Sequence, residues 1–301
     1  MKISNIDFLT CLLVIATQSA FCQTWPVIYL PEVGSYPLSV EKLYDKGYVI
    51  GGEFTTSDGY PIWGLLMKTG INGNLIWYKS LGQNGDGTGI FDVQQTSDHG
   101  LIITGATEQI DSWGDPFIMK LNACGEKEWC RIYSIVNDNF DYTTSVYQIP
   151  GGYIAHIYRG SNLFANDHIF LFRLDMNGNL IWQQQYAIND PLFMGAAGVH
   201  MIVTPDLKYL INGYCYYPDS GTVSPTYLRP LIIKVDSTGT PEWELPWRYV
   251  SGKNFNGMSE RSIVDKRQNI YACGRHIEDG ATPPGDRPTM LITNPNGHEV
   301  S

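Results

Sequence analysis

The chain has 301 residues, of which 43% are hydrophobic, and its 20 basic and 30 acidic residues give a net charge of −10. A surface of this sign matches a polyanionic partner poorly, so we exclude nucleic acid and anionic membrane surfaces as partners. Thirty-one glycines and 13% aromatic residues favour many short β-strands joined by tight turns.

The N-terminal segment from Met1 to Cys22, MKISNIDFLTCLLVIATQSAFC, is typical of a secretory signal peptide. An early lysine precedes an apolar stretch from Phe8 to Ala16, and small residues follow it. We expect cleavage just before Gln23. The alternative, a lipoprotein acylated on Cys22, is disfavoured because the preceding Phe21 is bulky. No other segment approaches the ~20 apolar residues of a membrane span, so we expect a secreted or cell-surface protein with no transmembrane segment.

Four cysteines remain after the signal peptide, an even number that an oxidising compartment would allow to pair. Cys124 and Cys130 flank one turn in NACGEKEWCRIY, so we predict a disulfide between them. A metal site at this pair is a weaker alternative, because the spacing is not that of a zinc motif and no histidine is near. Cys215 and Cys273 lie at similar places in successive repeats, and we leave their state open.

Internal repeats organise the rest of the chain. Four marker tryptophans recur at two nearly equal intervals and one longer interval: Trp77, Trp129, Trp182 and Trp243. The repeats cover about 33–82, 83–135, 136–188, 189–249 and 250–301. They form one domain, 23–301.

Each repeat is predicted to contain four strands. In the first repeat, we expect strands at about 37–43, 48–54, 62–68 and 75–80, because β-branched and aromatic runs are bounded by turn residues. Several strands are apolar on both faces, which favours sheets sandwiched between neighbouring sheets. We therefore predict an all-β fold, a five-bladed β-propeller of four-stranded antiparallel blades.

The segment Thr24 to Leu30, TWPVIYL, matches a fourth strand, and Trp25 precedes Trp77 by the same interval that separates Trp77 from Trp129. The fifth repeat stops at NPNGHEVS, where its own fourth strand should begin. We expect the N-terminal strand to complete the last blade and so to remove an exposed edge. The alternative is that the chain is the front part of a longer protein.

The repeat pattern resembles a secreted bacterial β-propeller repeat family of the Bacteroidetes type, with units such as GGYIIAG and KLDxNGNxxW. The resemblance is carried by GGYIAHIY, LFRLDMNGNLIWQQQYA, LLMKTGINGNLIWYKSLG and FIMKLNACGEKEWCRIYS. It covers essentially the whole mature chain and implies the propeller fold and export. Proteins of this kind often end in a sorting domain, and the sequence up to Ser301 offers no segment that we would expect to form one.

Two recurring residue types are interpreted as structural. The four marker tryptophans recur at one strand position, which indicates blade packing rather than sugar stacking. Basic residues recur on the third strand of four repeats, and we expect them to pair with acidic neighbours such as Asp175 and Asp236. These basic residues are Lys68, Lys120, Arg173 and Lys234.

The long loops hold the non-repeating residues, and in a propeller these loops share the face where ligands bind. Asn84, Asp86 and Asp92 could offer oxygens to Ca²⁺, although plain turns explain them more simply because no complete calcium loop is present. No other cofactor is expected. Five loop aromatics without a packing role are the candidate recognition residues: Trp113, Phe164, Tyr216, Tyr217 and Tyr227.

No catalytic set is visible, since the histidines are scattered and no Ser-His-Asp order or metal-binding helix motif appears. We predict a monomeric, noncatalytic extracellular or cell-surface module that binds a glycan or a protein through the loop face. A glycoside hydrolase or lyase acting on extracellular polysaccharide is the first alternative. A structural repeat segment of a larger surface protein is the second.

Overall fold

The computed structural model describes residues 29, 34–55, 62–82, 87–110, 114–133, 140–160, 167–188, 195–218, 225–246, 249–250, 253–254, 257–277 and 286–300. The chain divides into two compact units, Met1–Pro31 and Glu32–Ser301, and every strand among the described residues belongs to the second. In the described residues, no helix has the length and apolarity needed to cross a membrane. The predicted signal peptide, 1–22, lies outside the described residues.

The described residues form twenty-one strands, which build five sheets and one short hairpin, and we call the sheets blades, numbered in chain order. Blade 1 contains β1 (Gly34–Lys42), β2 (Tyr48–Thr55), β3 (Ile62–Thr69) and β4 (Leu75–Leu81). Blade 2 contains β5 (Thr88–Gln95), β6 (Leu101–Thr107), β7 (Asp115–Leu121) and β8 (Lys127–Ile132). Blade 3 contains β9 (Asp141–Ile149), β10 (Gly152–Arg159), β11 (His168–Leu174) and β12 (Leu180–Tyr186).

Blade 4 contains β13 (Ala196–Val203), β14 (Tyr209–Pro218), β15 (Pro225–Val235) and β16 (Pro241–Pro246). The hairpin of β17 (Tyr249–Val250) and β18 (Lys253–Asn254) follows. Blade 5 contains β19 (Gly257–Val264), β20 (Ile270–Ile277) and β21 (Asp286–Thr293). The predicted fourth strand of this blade, Thr24 to Leu30, falls outside the described residues except for Tyr29, so that prediction stays open.

Each blade is an antiparallel meander in which neighbouring strands follow one another in the chain. The turns between first and second strands, and between third and fourth, therefore lie at one end of every blade. The other two kinds of connection lie at the opposite end, which we call the loop face. The predicted all-β architecture of four-stranded antiparallel repeats is confirmed in blades 1 to 4.

The first strands of successive blades contact one another, and each has a register shift at the same repeat position. The side chain after the shift accepts a hydrogen bond from the backbone of the next blade. Val93 N donates to Ser39 Oγ (3.3 Å), Val146 N to Asp92 Oδ2 (3.0 Å), and Met201 N to Ser145 Oγ (3.0 Å). These bonds hold the first strands of blades 1 to 4 against one another.

On the fourth strands, the marker tryptophans join neighbouring blades. Each stacks on a glycine in the turn that follows the third strand of the next blade, where φ is positive and a side chain has no room. Trp129 lies 2.7 Å from the point where a Cβ on Gly178 would be, and its indole N–H donates to Met176 O (3.1 Å). The structural interpretation of these tryptophans is therefore confirmed.

The recurring basic residues also have a structural role, although not with the partners we predicted. Lys68 pairs with Asp45 (2.8 Å) and Lys120 with Asp98 (3.0 Å), both in turns between first and second strands. Arg173 instead donates to backbone carbonyls, including that of Pro150. Asp175 and Asp236 were the wrong partners, because their carboxylates accept backbone N–H groups of their own turns.

The faces at the two ends of the blade series are less covered than those inside it. Met290 on β21 is 69% exposed, whereas the residues at its repeat position in the other blades are fully buried. Val40 on β1 is 64% exposed, whereas Val93, Val146 and Met201 at the same repeat position are fully buried. Blades 1 and 5 thus keep apolar residues exposed where interior blades pack together.

Candidate functional site

A group of aromatic side chains lies on the loop face across blades 2, 3 and 4, and we call it the aromatic cluster. Its members are Phe91, Phe140, Tyr142, Tyr158, Tyr214 and Tyr216. They come from the start of first strands and the end of second strands, which meet at this end of each blade. Tyr158 and Tyr214 share one repeat position, but the other blades have Glu53, Ala106 and Arg275 there, so the repeat does not require an aromatic residue.

Tyr142 is the centre of the cluster. Its ring lies 4.8 Å from that of Tyr158, 5.4 Å from that of Phe91 and 5.5 Å from that of Phe140, measured between centroids. These separations and the edge-on or tilted orientations are those that aromatic pairs prefer. Phe140 is 51% exposed, so the cluster presents an aromatic surface to solvent rather than closing on itself.

A buried carboxylate holds the other half of the cluster. Asp167, which precedes β11, accepts hydrogen bonds from Tyr158 Oη (2.9 Å) and Tyr216 Oη (2.7 Å), and so joins blades 3 and 4. Burial, with the Asp167 charge as a further cause, raises the pKa of both phenols, which therefore stay protonated as donors. Tyr214 lies edge-on to Tyr216 at 5.4 Å.

Further charged residues surround the cluster. Arg159 Nε lies 3.9 Å from Asp141 Oδ2, and Arg275 Nε lies 3.5 Å from Glu260 Oε1. Glu53 is partly buried beside Phe91, and burial raises the pKa of its carboxyl group. The cluster therefore combines an apolar ring surface with polar groups at its margin, the composition of many ligand sites.

The structure places the five predicted recognition residues differently. Tyr216 belongs to the cluster, but it is only 5% exposed and acts through its hydroxyl group. Tyr217 and Tyr227 face each other across the β14–β15 pair, and their side chains lie outside the described part of the structure. Trp113 and Phe164 fall outside the described residues altogether.

Sequence reasoning missed most of the cluster because Tyr142, Tyr158 and Tyr214 lie on strands rather than in long loops. Their signal was a departure from the repeat. At the position that Tyr158 shares with Tyr214 of blade 4, blade 1 has Glu53, blade 2 has Ala106 and blade 5 has Arg275. A comparison of repeat positions would have separated these tyrosines from residues that only pack the blades.

The weak calcium prediction concerned Asn84, Asp86 and Asp92. The first two are not among the described residues. Asp92 is buried on β5, where Ser39 Oγ, Val93 N, Val146 N and Gln94 Nε2 all donate to its carboxylate. These four donors leave it little capacity to bind a metal ion, and the described residues form no group of three or more metal-ligating side chains.

The four cysteines among the described residues are free thiols. Cys124 lies exposed in the turn after β7, whereas Cys130 is half-buried on β8 and packs against the core between blades 1 and 2. The predicted disulfide between them is therefore not formed here. Cys215 is buried, which raises its pKa, and Cys273 is exposed.

No protein-family model matches this chain, and no curated protein matches it. Solved structures do. A Bacteroides caccae protein of unknown function has a TM-score of 0.54 at 10% identity, covering 89% of this chain and 81% of that one. An ulvan lyase of a new polysaccharide lyase family, bound to GlcA(1-4)Rha3S, has a TM-score of 0.57 at 9% identity, covering 90% and 73%. The fold is that of a β-propeller. At these identities the likeness concerns the fold alone.

Proposed function

We propose that this propeller is a noncatalytic extracellular module that binds a glycan at the aromatic cluster. The observation that carries the proposal is the exposed ring surface of Phe140, supported by Tyr142 and Phe91, on the face where ligands of propellers bind. Sugar rings present apolar faces that pack on aromatic rings, and their hydroxyl groups bond to polar groups at the margin.

Two features support binding without catalysis. The cluster lies on the protein surface, where Phe140 is exposed. A cavity of about 380 Å³, which could enclose a substrate, lies elsewhere, beside Tyr186 and Trp243 on the fourth strands of blades 3 and 4. Asp167 and Asp141 are engaged in holding Tyr158, Tyr216 and Arg159 in place. Glycoside hydrolysis requires instead a pair of carboxyl groups that flank the scissile bond.

Export and the solved neighbours fit the same proposal. The segment 1–22 has the pattern of a signal peptide, and we infer that it directs the chain out of the cytoplasm. The ulvan lyase with a similar fold was solved with a carbohydrate bound. We propose that the present chain also acts on the extracellular side, as a monomer that recognises a polysaccharide.

A polysaccharide lyase or glycoside hydrolase is the second candidate, and Glu53 is the observation that favours it. Burial raises the pKa of this carboxyl group, as in a general acid, and it lies beside Phe91 at the edge of the cluster. Catalysis at this site would make Glu53 the proton donor.

One experiment separates the two candidates. The mature protein is screened on an array of bacterial, algal and plant polysaccharides, and each bound polysaccharide is then incubated with the protein. We expect binding to at least one glycan and no new reducing ends or unsaturated ends. New ends that disappear in Glu53→Gln would support the enzyme instead, and the absence of any bound glycan would overturn the binding proposal.

A further inference from the structure

The charges around the aromatic cluster are mostly negative. Asp141 and Asp167 lie within the cluster itself, and both are buried. The Glu53 carboxylate and the Phe91 ring both lie close to Gly89. A Cβ atom added to this glycine would be 3.0 Å from the carboxylate and 2.8 Å from the ring. Two further carboxylates stand at the same end of blade 2, namely Glu108 and Asp115.

The arginines near the cluster do not reverse this sign. Arg159 lies beside Asp141, and Arg275, which acts electrostatically on the Tyr214 hydroxyl, lies beside Glu260. Each guanidinium therefore has a carboxylate against it, and Glu53 and Asp167 add further negative charge. With the chain carrying a net charge of −10, the local field repels anions.

Three of these carboxylates already accept hydrogen bonds, and Asp141 lies against Arg159, so they are not free to hold a cation. Asp167 accepts from two tyrosine hydroxyl groups. Glu108 accepts from Gly87 N (3.1 Å), and Asp115 accepts from Ile110 N (3.2 Å). A ligand cation would have to displace these donors and leave buried groups unpaired.

We propose that the ligand of the aromatic cluster is a neutral glycan, without uronate or sulfate groups. This inference rests on the proposed function, since it names the class of glycan that the same surface accepts. The glucuronate and sulfated rhamnose bound to the ulvan lyase belong to the class that this site rejects. Discrimination comes from repulsion of the anion as much as from attraction of the neutral sugar.

The test compares matched polysaccharides in EDTA, so that calcium cannot bridge an acidic sugar to the protein. Unsubstituted xylan is paired with glucuronoxylan, and agarose with the sulfated galactan carrageenan. We expect the wild-type protein to bind the neutral member of at least one pair at least tenfold more tightly. We also expect its affinity to change less than about twofold between low salt and high salt, because no ionic contact with the glycan is there to be screened.

Two variants connect this preference to the site. Glu53→Gln removes one charge beside Phe91, so the ratio of neutral to acidic affinity should fall about threefold or more. Asp206→Asn is the matched control, because Asp206 lies in the turn between β13 and β14 at the opposite end of the blade, and it should leave the ratio unchanged. If the ratio of neutral to acidic affinity is unchanged in Glu53→Gln, the role assigned to the Glu53 charge in rejecting acidic glycans is wrong.

The outcomes for the inference and for the proposed function differ. Tighter binding of the acidic member, with an affinity that falls steeply with salt, overturns the neutral-glycan inference while the proposed function stands. Failure of the wild-type protein to bind either member of any pair overturns the proposed function itself.

Discussion

Asp167 joins blades 3 and 4 on the loop face. It is buried and accepts hydrogen bonds from Tyr158 and Tyr216, so Asp167→Asn keeps the shape but loses the charge that strengthens both bonds. We expect the free energy of unfolding to fall by about 2–3 kcal/mol. Urea denaturation measures this change, and Tyr216→Phe, which removes one of the two bonds, should lose about half as much. A change below ~0.5 kcal/mol for Asp167→Asn would remove the structural role given to this carboxylate.

Two histidines, one on blade 3 and one on blade 4, should make stability depend on pH. His156 is fully buried, with the Thr144 hydroxyl on its Nδ1. Its Nε2 and the Nδ1 of His200 have no hydrogen-bond partner within the described part of the chain. Burial lowers the pKa of each histidine to about 3. Both imidazoles are therefore neutral in the folded protein at physiological pH.

The direction of the pH effect follows from the depressed pKa of the folded state. Between pH 6.5 and pH 3 the unfolded chain binds a proton on His156 that the folded chain does not, so stability falls as the pH drops through this window. The loss is on the order of 3 kcal/mol at about pH 4 for His156 alone. Denaturation curves from neutral to acidic pH should show a shallower decline in His156→Gln than in the exposed control His298→Gln. Equal declines would contradict the account.

At the scale of the element, the tryptophan of one blade and the turn glycine of the next form the repeated contact. Gly178 has φ of +77°, and its built Cβ would lie 2.7 Å from the Trp129 ring, so Gly178→Ala strains both the backbone and the packing. We expect a loss of about 1–3 kcal/mol in thermal or urea unfolding. Gly70→Ala is the control, because its built Cβ would meet nothing closer than 3.9 Å and its φ is not positive. Equal effects of the two changes would show that the contact contributes nothing.

The strands were predictable because their signals are local. In the first repeat the predicted second, third and fourth strands agree with β2, β3 and β4 to within one residue at each end, since Gly47 and Gly73 mark the turns. The longer interval between Trp182 and Trp243 arises in blade 4, where β14 has 10 residues and β15 has 11. In the sequence, this longer hairpin shows only as a longer interval between two tryptophans, which does not tell which strands are extended.

The candidate site was less predictable because it is built by contacts between blades. Tyr158 and Tyr216 belong to different repeats, yet both bond to Asp167. No spacing rule relates residues that meet only when two blades pack side by side. Among the residues of the aromatic cluster, the sequence analysis therefore named Tyr216 but not Tyr142.

At the scale of the whole molecule, the sequence prediction for Thr24 to Leu30 can be tested by substitution. Trp25 stands one repeat period before Trp77, so if this segment supplies the fourth strand of blade 5, Trp25→Ala should destabilise the protein as Trp77→Ala does. The expected loss is about 3–5 kcal/mol for each variant. Calorimetric unfolding of the mature protein measures it. A normal transition in Trp25→Ala beside a weakened one in Trp77→Ala would favour the alternative that the chain is the front part of a longer protein.

The central claim is that the propeller binds a glycan on its aromatic cluster without cleaving it. Isothermal titration calorimetry with an oligosaccharide of the best-bound polysaccharide tests it most directly. Phe140→Ala removes the exposed ring of the cluster, and Tyr78→Ala removes a comparably exposed ring on β4, away from the loop face. We predict one site per chain, an affinity at least tenfold weaker in Phe140→Ala and unchanged in Tyr78→Ala, and an oligosaccharide recovered intact. Equal affinity in the wild type and Phe140→Ala, or recovery of a cleaved oligosaccharide, would contradict the claim.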